Sequence, residues 1–337
     1  MASSALIVTF VLTLGVVFVN GWTDAPNAIA TCITTRAIKP GKAVVLSAVF
    51  NFMGLVIMTL FNHTVALTIA GMAEFGNGPN AAAALCAALV SVIVWAVLAW
   101  GFGIPTSESH AIIAGLSGAA IAAEGGLSAI NGQEWIKVIY GLILSILLGC
   151  TSGFLFTKII KIIFKNTDKR KTSGFFGKAQ ILGGAAMSFM HGAQDGQKFI
   201  GVMLLGSMIA KGESLPQTAE IPMILIVICS IVMSLGTLAG GYRIIKAVGM
   251  NMARLEGYQG FAADLAASFC LFVSSLSGIP VSTTHTKTAA IMGAGAAKRL
   301  SSLNFGVVGN MVLAWVFTFP CCGFIGYVAA KLFISWF

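Results

Sequence analysis

Charge is the scarcest feature of this 337-residue chain. Asp, Glu, Lys and Arg make up 9% of it, against about 25% in soluble domains. With 57% hydrophobic residues and a mean hydropathy of +0.93, it has too few polar side chains to cover a water-facing surface. A soluble enzyme, a secreted disulfide scaffold and a disordered chain are excluded. Zinc-spaced cysteine pairs are also lacking. The seven cysteines, an odd number, lie in or beside apolar stretches and read as small buried hydrophobes. Residues 1–20 hold no Lys or Arg and lead into further apolar sequence without a small-residue cleavage site, so they read as a first span rather than a signal peptide. The apolar runs are continuous rather than alternating, which argues against a β-barrel. What remains is an all-α polytopic membrane protein of about 10–12 transmembrane segments, at about 20 residues per span.

Ten candidate crossings follow from those runs: 4–35, 43–62, 80–104, 107–123, 136–158, 179–210, 221–242, 257–279, 282–297 and 305–335. The first and sixth are too long for one plain helix across a bilayer about 30 Å thick. Each has a polar, Gly- or Pro-containing middle, which predicts a broken helix or a span with a short extra one. The connections after crossings one, five, seven and nine carry 15 of the 20 basic residues: Arg36, Lys39, Lys42; Lys158, Lys161, Lys165, Lys169, Arg170, Lys171, Lys178; Arg243, Lys246, Arg254; and Lys298, Arg299. These connections hold only two acidic residues, Asp168 and Glu256, while the others carry Glu74, Glu124, Glu134, Glu213 and Glu220 with Lys137 and Lys211, and Lys331 sits near the C-terminus. The positive-inside rule makes the basic set cytoplasmic and puts both termini outside. The net charge of +9 is therefore a topology signal and does not point to nucleic acid. The Lys-rich stretch 164–178 reads as a linker between two units, 1–163 and 179–337.

Those units share sequence. Gly-Ile-Pro-Thr-Ser-Glu-Ser-His at 103–110 matches Gly-Ile-Pro-Val-Ser-Thr-Thr-His at 278–285, an offset of 175, and Asn-Gly-Trp-Thr-Asp at 20–24 matches His-Gly-Ala-Gln-Asp at 191–195, an offset of 171. Two matches in one order point to duplication. Five crossings per copy is odd, so the second copy runs inverted through the bilayer. Inverted repeats with interrupted helices, and a site between them near the midplane, are the architecture of secondary transporters.

The chemistry concentrates in the repeated motifs. Each Ile-Pro turn ends one helix and places hydroxyls where the next begins: Thr106, Ser107 and Ser109 in one copy, Ser282, Thr283 and Thr284 in the other. Hydroxyls, free amides and the positive end of the helix dipole make an anion site. Two such turns meeting from opposite sides would hold a tetrahedral oxyanion; a plain helix cap is the alternative for either turn alone. Asp24 and Asp195 sit at matched positions in the over-long segments. A carboxylate at that depth binds a cation, carries a proton or pairs. Asn27 lies on the face of Asp24, and their oxygens are hard ligands suited to Na⁺. Lys198 matches Asn27 and is a fixed positive charge in place of a mobile ion, a counter-charge for the anion, or a structural partner of Asp195. Gln194 and Gln197 add neutral donors or acceptors. Glu108 reads equally as a proton carrier or a helix-N-terminal carboxylate. His110 and His285 are too sparse for a metal site and read as packing or turn residues, with proton coupling as the other use. Asp264 and Lys287 are intramembrane charges able to pair.

Together, Gly-Trp-Thr-Asp-Ala-Pro-Asn-Ala-Ile-Ala-Thr at 21–31, His-Gly-Ala-Gln-Asp-Gly-Gln-Lys at 191–198, the 103–110 turn and Val-Ser-Thr-Thr-His at 281–285 resemble the inorganic phosphate transporter (PiT) family over nearly the whole chain. The resemblance implies no enzyme but a phosphate symporter driven by Na⁺ or H⁺, built from inverted repeats, homodimeric and in the plasma (inner) membrane. By resemblance, the hydroxyl turns, with Gln194 and Lys198, hold phosphate, and Asp24, Asn27, Asp195 and Glu108 serve the coupling ion. Gln194 stands where the family often has Asn. Lys198, where the sodium-coupled branch keeps Asn, resembles the bacterial proton-coupled type. The residues alone reach only a tetrahedral anion. Against phosphate symport stand a symporter for another oxyanion such as sulfate, a membrane enzyme acting on phosphate esters, and a passive channel.

Overall fold

The chain is all-α in a computed structural model that describes residues 2–76, 79–212 and 221–336. Glu213 and Glu220 lie outside them. The first half comprises α1 (Ala2–Thr23), α2 (Pro26–Thr34), α3 (Pro40–Phe61), α4 (Thr64–Ala70), α5 (Pro79–Gly101), α6 (Glu108–Glu124) and α7 (Gly132–Ile163). The second comprises α8 (Lys169–Lys211), α9 (Met223–Ala239), α10 (Tyr242–Ile245) continued by a π-turn, α11 (Gly257–Leu276), α12 (Thr283–Ala296) and α13 (Phe305–Trp336). Large apolar side chains such as Phe61, Ile162 and Phe324 are exposed, as expected of helices facing lipid.

Among the described residues, six helices are long and apolar enough to cross a membrane. A seventh span arises if the pair Met223–Ala239 and Tyr242–Gly249, bent by 66°, counts as one. Three of the ten expected crossings are not among these: the long continuous α8, and two that take another form. α6 and α12 are only 17 and 14 residues long, short of a bilayer at 1.5 Å per residue, and nearly all their residues are buried. Each is the inner arm of a hairpin, α5–α6 or α11–α12. The open ends of these hairpins are tied by isolated bridges, Ala73 to Ile130 and Ala253 to Leu303.

The first over-long segment breaks as expected. Asp24 and Ala25 form a turn, and Pro26, which lacks an N–H, opens α2. The second does not break. α8 is one continuous 43-residue helix through Asp195, and residues 179–210 contain no proline to remove a backbone bond. Its glycines serve packing instead: a Cβ on Gly192 would stand 2.1 Å from the Asn51 carbonyl oxygen. The basic stretch 164–178 is likewise helical from Lys169 onward.

Packing crosses between the halves reciprocally. α6 lies against α13, and α12 against α7; α1 packs on α9, and α3 on α8. Close backbone approaches repeat too. A Cβ on Gly118 would stand 2.0 Å from the Gly323 carbonyl oxygen, and one on Gly293, 175 residues later, 2.0 Å from that of Cys150. Only glycine permits backbones this near. All seven cysteines are free; Cys150 and Cys321 are half-buried and the rest buried.

Candidate functional site

Both hydroxyl turns cap a helix. Ser107 accepts from the His110 amide at 3.3 Å, and Ser282 from the His285 amide at 3.2 Å. These are N-caps that leave the first amides of α6 and α12 without intrahelical partners. The two helix starts converge on Asp195 in the middle of α8. Ser109 Oγ lies 3.3 Å from Asp195 Oδ1, and Thr283 Oγ1 donates to Oδ2 at 2.9 Å. The His110 and His285 rings, one residue and two residues further on, pack edge to face with centroids 4.4 Å apart. Phe319 stacks on His110, and Trp315 lies tilted against His285 with centroids 3.9 Å apart, so both histidine rings have packing partners.

Lys198, one turn along α8, completes this part. Its ammonium donates to Asp195 Oδ1 at 2.6 Å, to the Val281 carbonyl at 2.6 Å and to Ser109 Oγ. The group is fully buried, where charge-assisted bonds are strong and an unpaired charge is costly.

Asp24 is treated differently. Asn27 Nδ2 donates to its Oδ1 at 2.8 Å and to Thr284 Oγ1 at 3.1 Å, and Thr284 Oγ1 donates to the same Asp24 oxygen. No ammonium contacts Asp24 among the described residues. Thr23 donates to Glu108 Oε1, bringing a second carboxylate beside it. Buried oxygens without a hydrogen-bond partner cluster here: Asn20 Oδ1, Asp24 Oδ2, Asn27 Oδ1 and Glu108 Oε2. Neutral and anionic oxygens of this kind suit a hard cation such as Na⁺, or a proton on one carboxylate. Asp195 fits a mobile cation less well, because both its oxygens already face donors. Even so, Asp24, His191 and Asp195 bring ligand atoms within 4.8 Å of one another, so the two carboxylates form one site.

Three expected residues stand apart. Gln194 turns its amide to the Ile279 carbonyl at 3.1 Å, bracing the second turn from behind. Thr106 is buried in the extended lead into α6, one residue before the cap. Gln197 likewise spends its amide on the Asn62 carbonyl at 2.7 Å. Three residues join that the motifs contained without an assigned role. Asn20 Nδ2 reaches Asp195 Oδ2 at 3.5 Å. Its counterpart His191 sits between Asn51 Oδ1 at 3.1 Å and Asp195 Oδ2 at 3.3 Å. Thr23 holds Glu108. Their signal was the repeat itself, since Asn20 and His191 open the two matched motifs.

Comparison with known proteins gives a consistent picture. The pattern of the phosphate transporter family (PHO4) matches residues 20–326. A protein of Bacillus subtilis (strain 168) described as a probable low-affinity inorganic phosphate transporter is 37% identical over 93% of this chain and 92% of its own. One of Rhizobium meliloti (strain 1021), described in the same words, is 36% identical over 94% and 93%. A solved structure described as the sodium-dependent phosphate transporter superposes with a TM-score of 0.89, covering 98% of each chain at 23% identity, a likeness of fold.

Proposed function

This chain belongs to the phosphate transporter family, and from that membership we propose that it is a secondary active carrier, moving inorganic phosphate with a cation by alternating access. One observation carries the coupling. Three carboxylates, Asp24, Glu108 and Asp195, share a buried site with a single ammonium, Lys198. With all of them ionised the site is net negative before phosphate arrives. In so dry a place an anion is repelled until positive charge enters first. Cation and phosphate must therefore travel together, and the cation binds first.

The roles divide along the geometry. Ser109, Thr283, Thr284 and Lys198 hold the phosphate oxygens with the first amides of α6 and α12, on helix ends whose dipoles favour anions. Thr106, Ser107, Ser282 and Gln194 shape the two turns. Asp24, Asn27 and Glu108, joined by Asn20, take the mobile Na⁺ or H⁺. Lys198 is a built-in cation for Asp195, replacing one that would otherwise have to be carried.

The reciprocal packing and the two matched hairpins support two inverted repeats, 1–163 and 179–337, joined through 164–178. Counting each hairpin as two passes gives five crossings per half, and counting it as none gives three; both are odd, so the second half is inverted either way. Arg243, from a basic connection, donates to the Gly101 carbonyl at 2.8 Å, which supports a first hairpin tip that points to the basic side. That side is cytoplasmic, with both termini outside. The plasma (inner) membrane and a homodimer belong to this reading on family membership alone.

Uptake of radiolabelled phosphate into proteoliposomes, with Na⁺ and pH gradients imposed separately, tests the proposal. Accumulation driven by one gradient and competed by arsenate but not sulfate is expected. Uptake indifferent to both gradients would overturn symport.

A further inference from the structure

A second buried polar cluster lies one helical turn from the site, and the roles above leave it unused. Lys287 of α12 is ion-paired with Asp264 Oδ1 of α11. The same ammonium lies 3.2 Å from Thr31 Oγ1 and 3.4 Å from the Ala28 carbonyl of α2. Thr31 donates to Asp264 Oδ1 at 2.7 Å, and Gln180 Nε2 of α8 to Oδ2 at 2.8 Å. All of these side chains are buried. Thr31 is four residues past Asn27, and Lys287 three past Thr284, so each shares a helix face with a site residue. Lys287 thereby ties α2 to α12, the two short helices whose spacing sets the Asp24–Asn27–Thr284 triangle.

The other half of the molecule has no such pair. Carrying Thr31 forward by 171, and Asp264 and Lys287 back by 175, gives Val202, Leu89 and Ile112. Those three side chains are fully buried together in one apolar cluster. The fold thus closes the matched place with hydrocarbon, and packing alone does not demand a charge pair whose desolvation costs several kcal/mol. The pair also has a side. Gln180 follows Lys178 closely, and α12 runs from Lys287 toward Lys298 and Arg299, so the cluster lies between the site and the basic face.

We infer that Asp264 and Lys287 form the gate on the basic side: paired and dry, they lock α2 against α11 and α12; separated and hydrated, they open the site to that face. An ion pair suits a gate that water releases, because both ions regain hydration as they part. The opposite face closes by apolar contact, so the two gates differ in chemistry although the repeats match in fold. The inference rests on the transport reading.

Cys32 gives a reporter, because its Sγ lies against the gate, 3.1 Å from the Gln180 carbonyl and 3.7 Å from Asp264 Oδ2. With the other cysteines replaced, the full chain is reconstituted and exposed to a membrane-impermeant maleimide from one side at a time. Slow labelling from the basic-face side alone is expected. Lys287→Met and Asp264→Asn should each raise that resting rate about tenfold by shifting the population of open molecules, and Lys287→Arg should leave it near the parent rate. Gradient-driven accumulation should collapse in the first two, while phosphate binding from the opposite face stays within about threefold. Unchanged labelling in both variants, or labelling from the opposite face, would overturn the gate. Should both variants fail to assemble by size exclusion, Thr31→Val, which removes one hydrogen bond, carries the test. A rise of about threefold supports the gate and no rise overturns it. The labelling needs no substrate, so intact sidedness without phosphate uptake would sink the phosphate reading and leave the gate standing.

Discussion

Thr284 donates a hydrogen bond to Asp24, 260 residues away in the chain. Ser109, at the matched position of the first hairpin, lies against Asp195 of the second half. Each hairpin therefore contacts the carboxylate of the opposite half, so the candidate site exists only where the halves meet. Any movement of one half against the other reaches both carboxylates and both capped helix starts at once. That makes the site a natural point for coupling, and it has consequences that single substitutions expose.

Asp24→Asn keeps the shape of the site and its hydrogen bonds but removes the charge that no ammonium neutralises. Gradient-driven phosphate uptake should fall at least about a hundredfold, as expected for a lost ionic ligand worth about 3 kcal/mol. The protein should still elute as an assembled species. Near-normal uptake in proteoliposomes would make Asp24 structural.

Ser109→Ala and Thr284→Val each remove one hydroxyl with little change in volume. Hydrogen bonds to charged groups are worth about 1.5–3 kcal/mol, so the KM for phosphate should rise about tenfold or more in each. On the proposal that both hydroxyls serve one substrate in one site, the two effects should not add. Initial-rate uptake against phosphate concentration measures this, and additive effects would speak for two independent subsites.

Much of this arrangement was legible in the sequence, and what was not has definite physical causes. The repeated Ile-Pro turns announced helix starts, because proline and its predecessor leave few alternatives. The break at Asp24 was equally visible through Pro26. Helix α8 misled, because Gly192 and Gly196 look like breakers. Their lack of a Cβ instead admits Asn51 and Leu55 of α3: a Cβ on Gly196 would stand 2.4 Å from a Leu55 methyl. A glycine needed for close packing and one needed for a turn look identical in one dimension. The repeat marked Asn20 and His191 as matched positions, but the contacts of Asn20 with Asp195, His191 with Asn51 and Thr23 with Glu108 join elements far apart in sequence and appear only in the fold. Asp264 and Lys287 stood out as charges in apolar sequence, but their shared partners on α2 and α8 appear only in the fold.

The close glycine contacts give a stability prediction. Gly118→Ala would place a Cβ 2.0 Å from the Gly323 carbonyl oxygen, which forces α6 and α13 apart. Gly125→Ala, at a helix end with open space around it, stresses only a backbone with φ of 78°. Overpacking costs about 1–3 kcal/mol or more, so Gly118→Ala should lower the unfolding temperature in detergent by several degrees more than Gly125→Ala. Equal shifts would mean that the two halves tolerate separation at this seam.

Lys198→Asn restores to the second half the residue type that Asn27 supplies in the first. It removes the one ammonium beside Asp195 among the described residues and leaves that carboxylate facing Ser109, Thr283, Asn20 and His191. A buried carboxylate with neutral donors only must recruit positive charge before a phosphate can sit next to it. The variant should therefore need one more mobile cation per phosphate. The Hill coefficient for the coupling cation should rise by about one, and apparent phosphate affinity should fall at low cation concentration and recover at high. Charge counting by solid-supported membrane electrophysiology gives an independent reading, with about one extra positive charge moved per phosphate. Unchanged cation dependence and unchanged charge movement would show that Lys198 only braces Asp195. The excess of carboxylates at the site would then have to be balanced by cations at Asp24 and Glu108 alone.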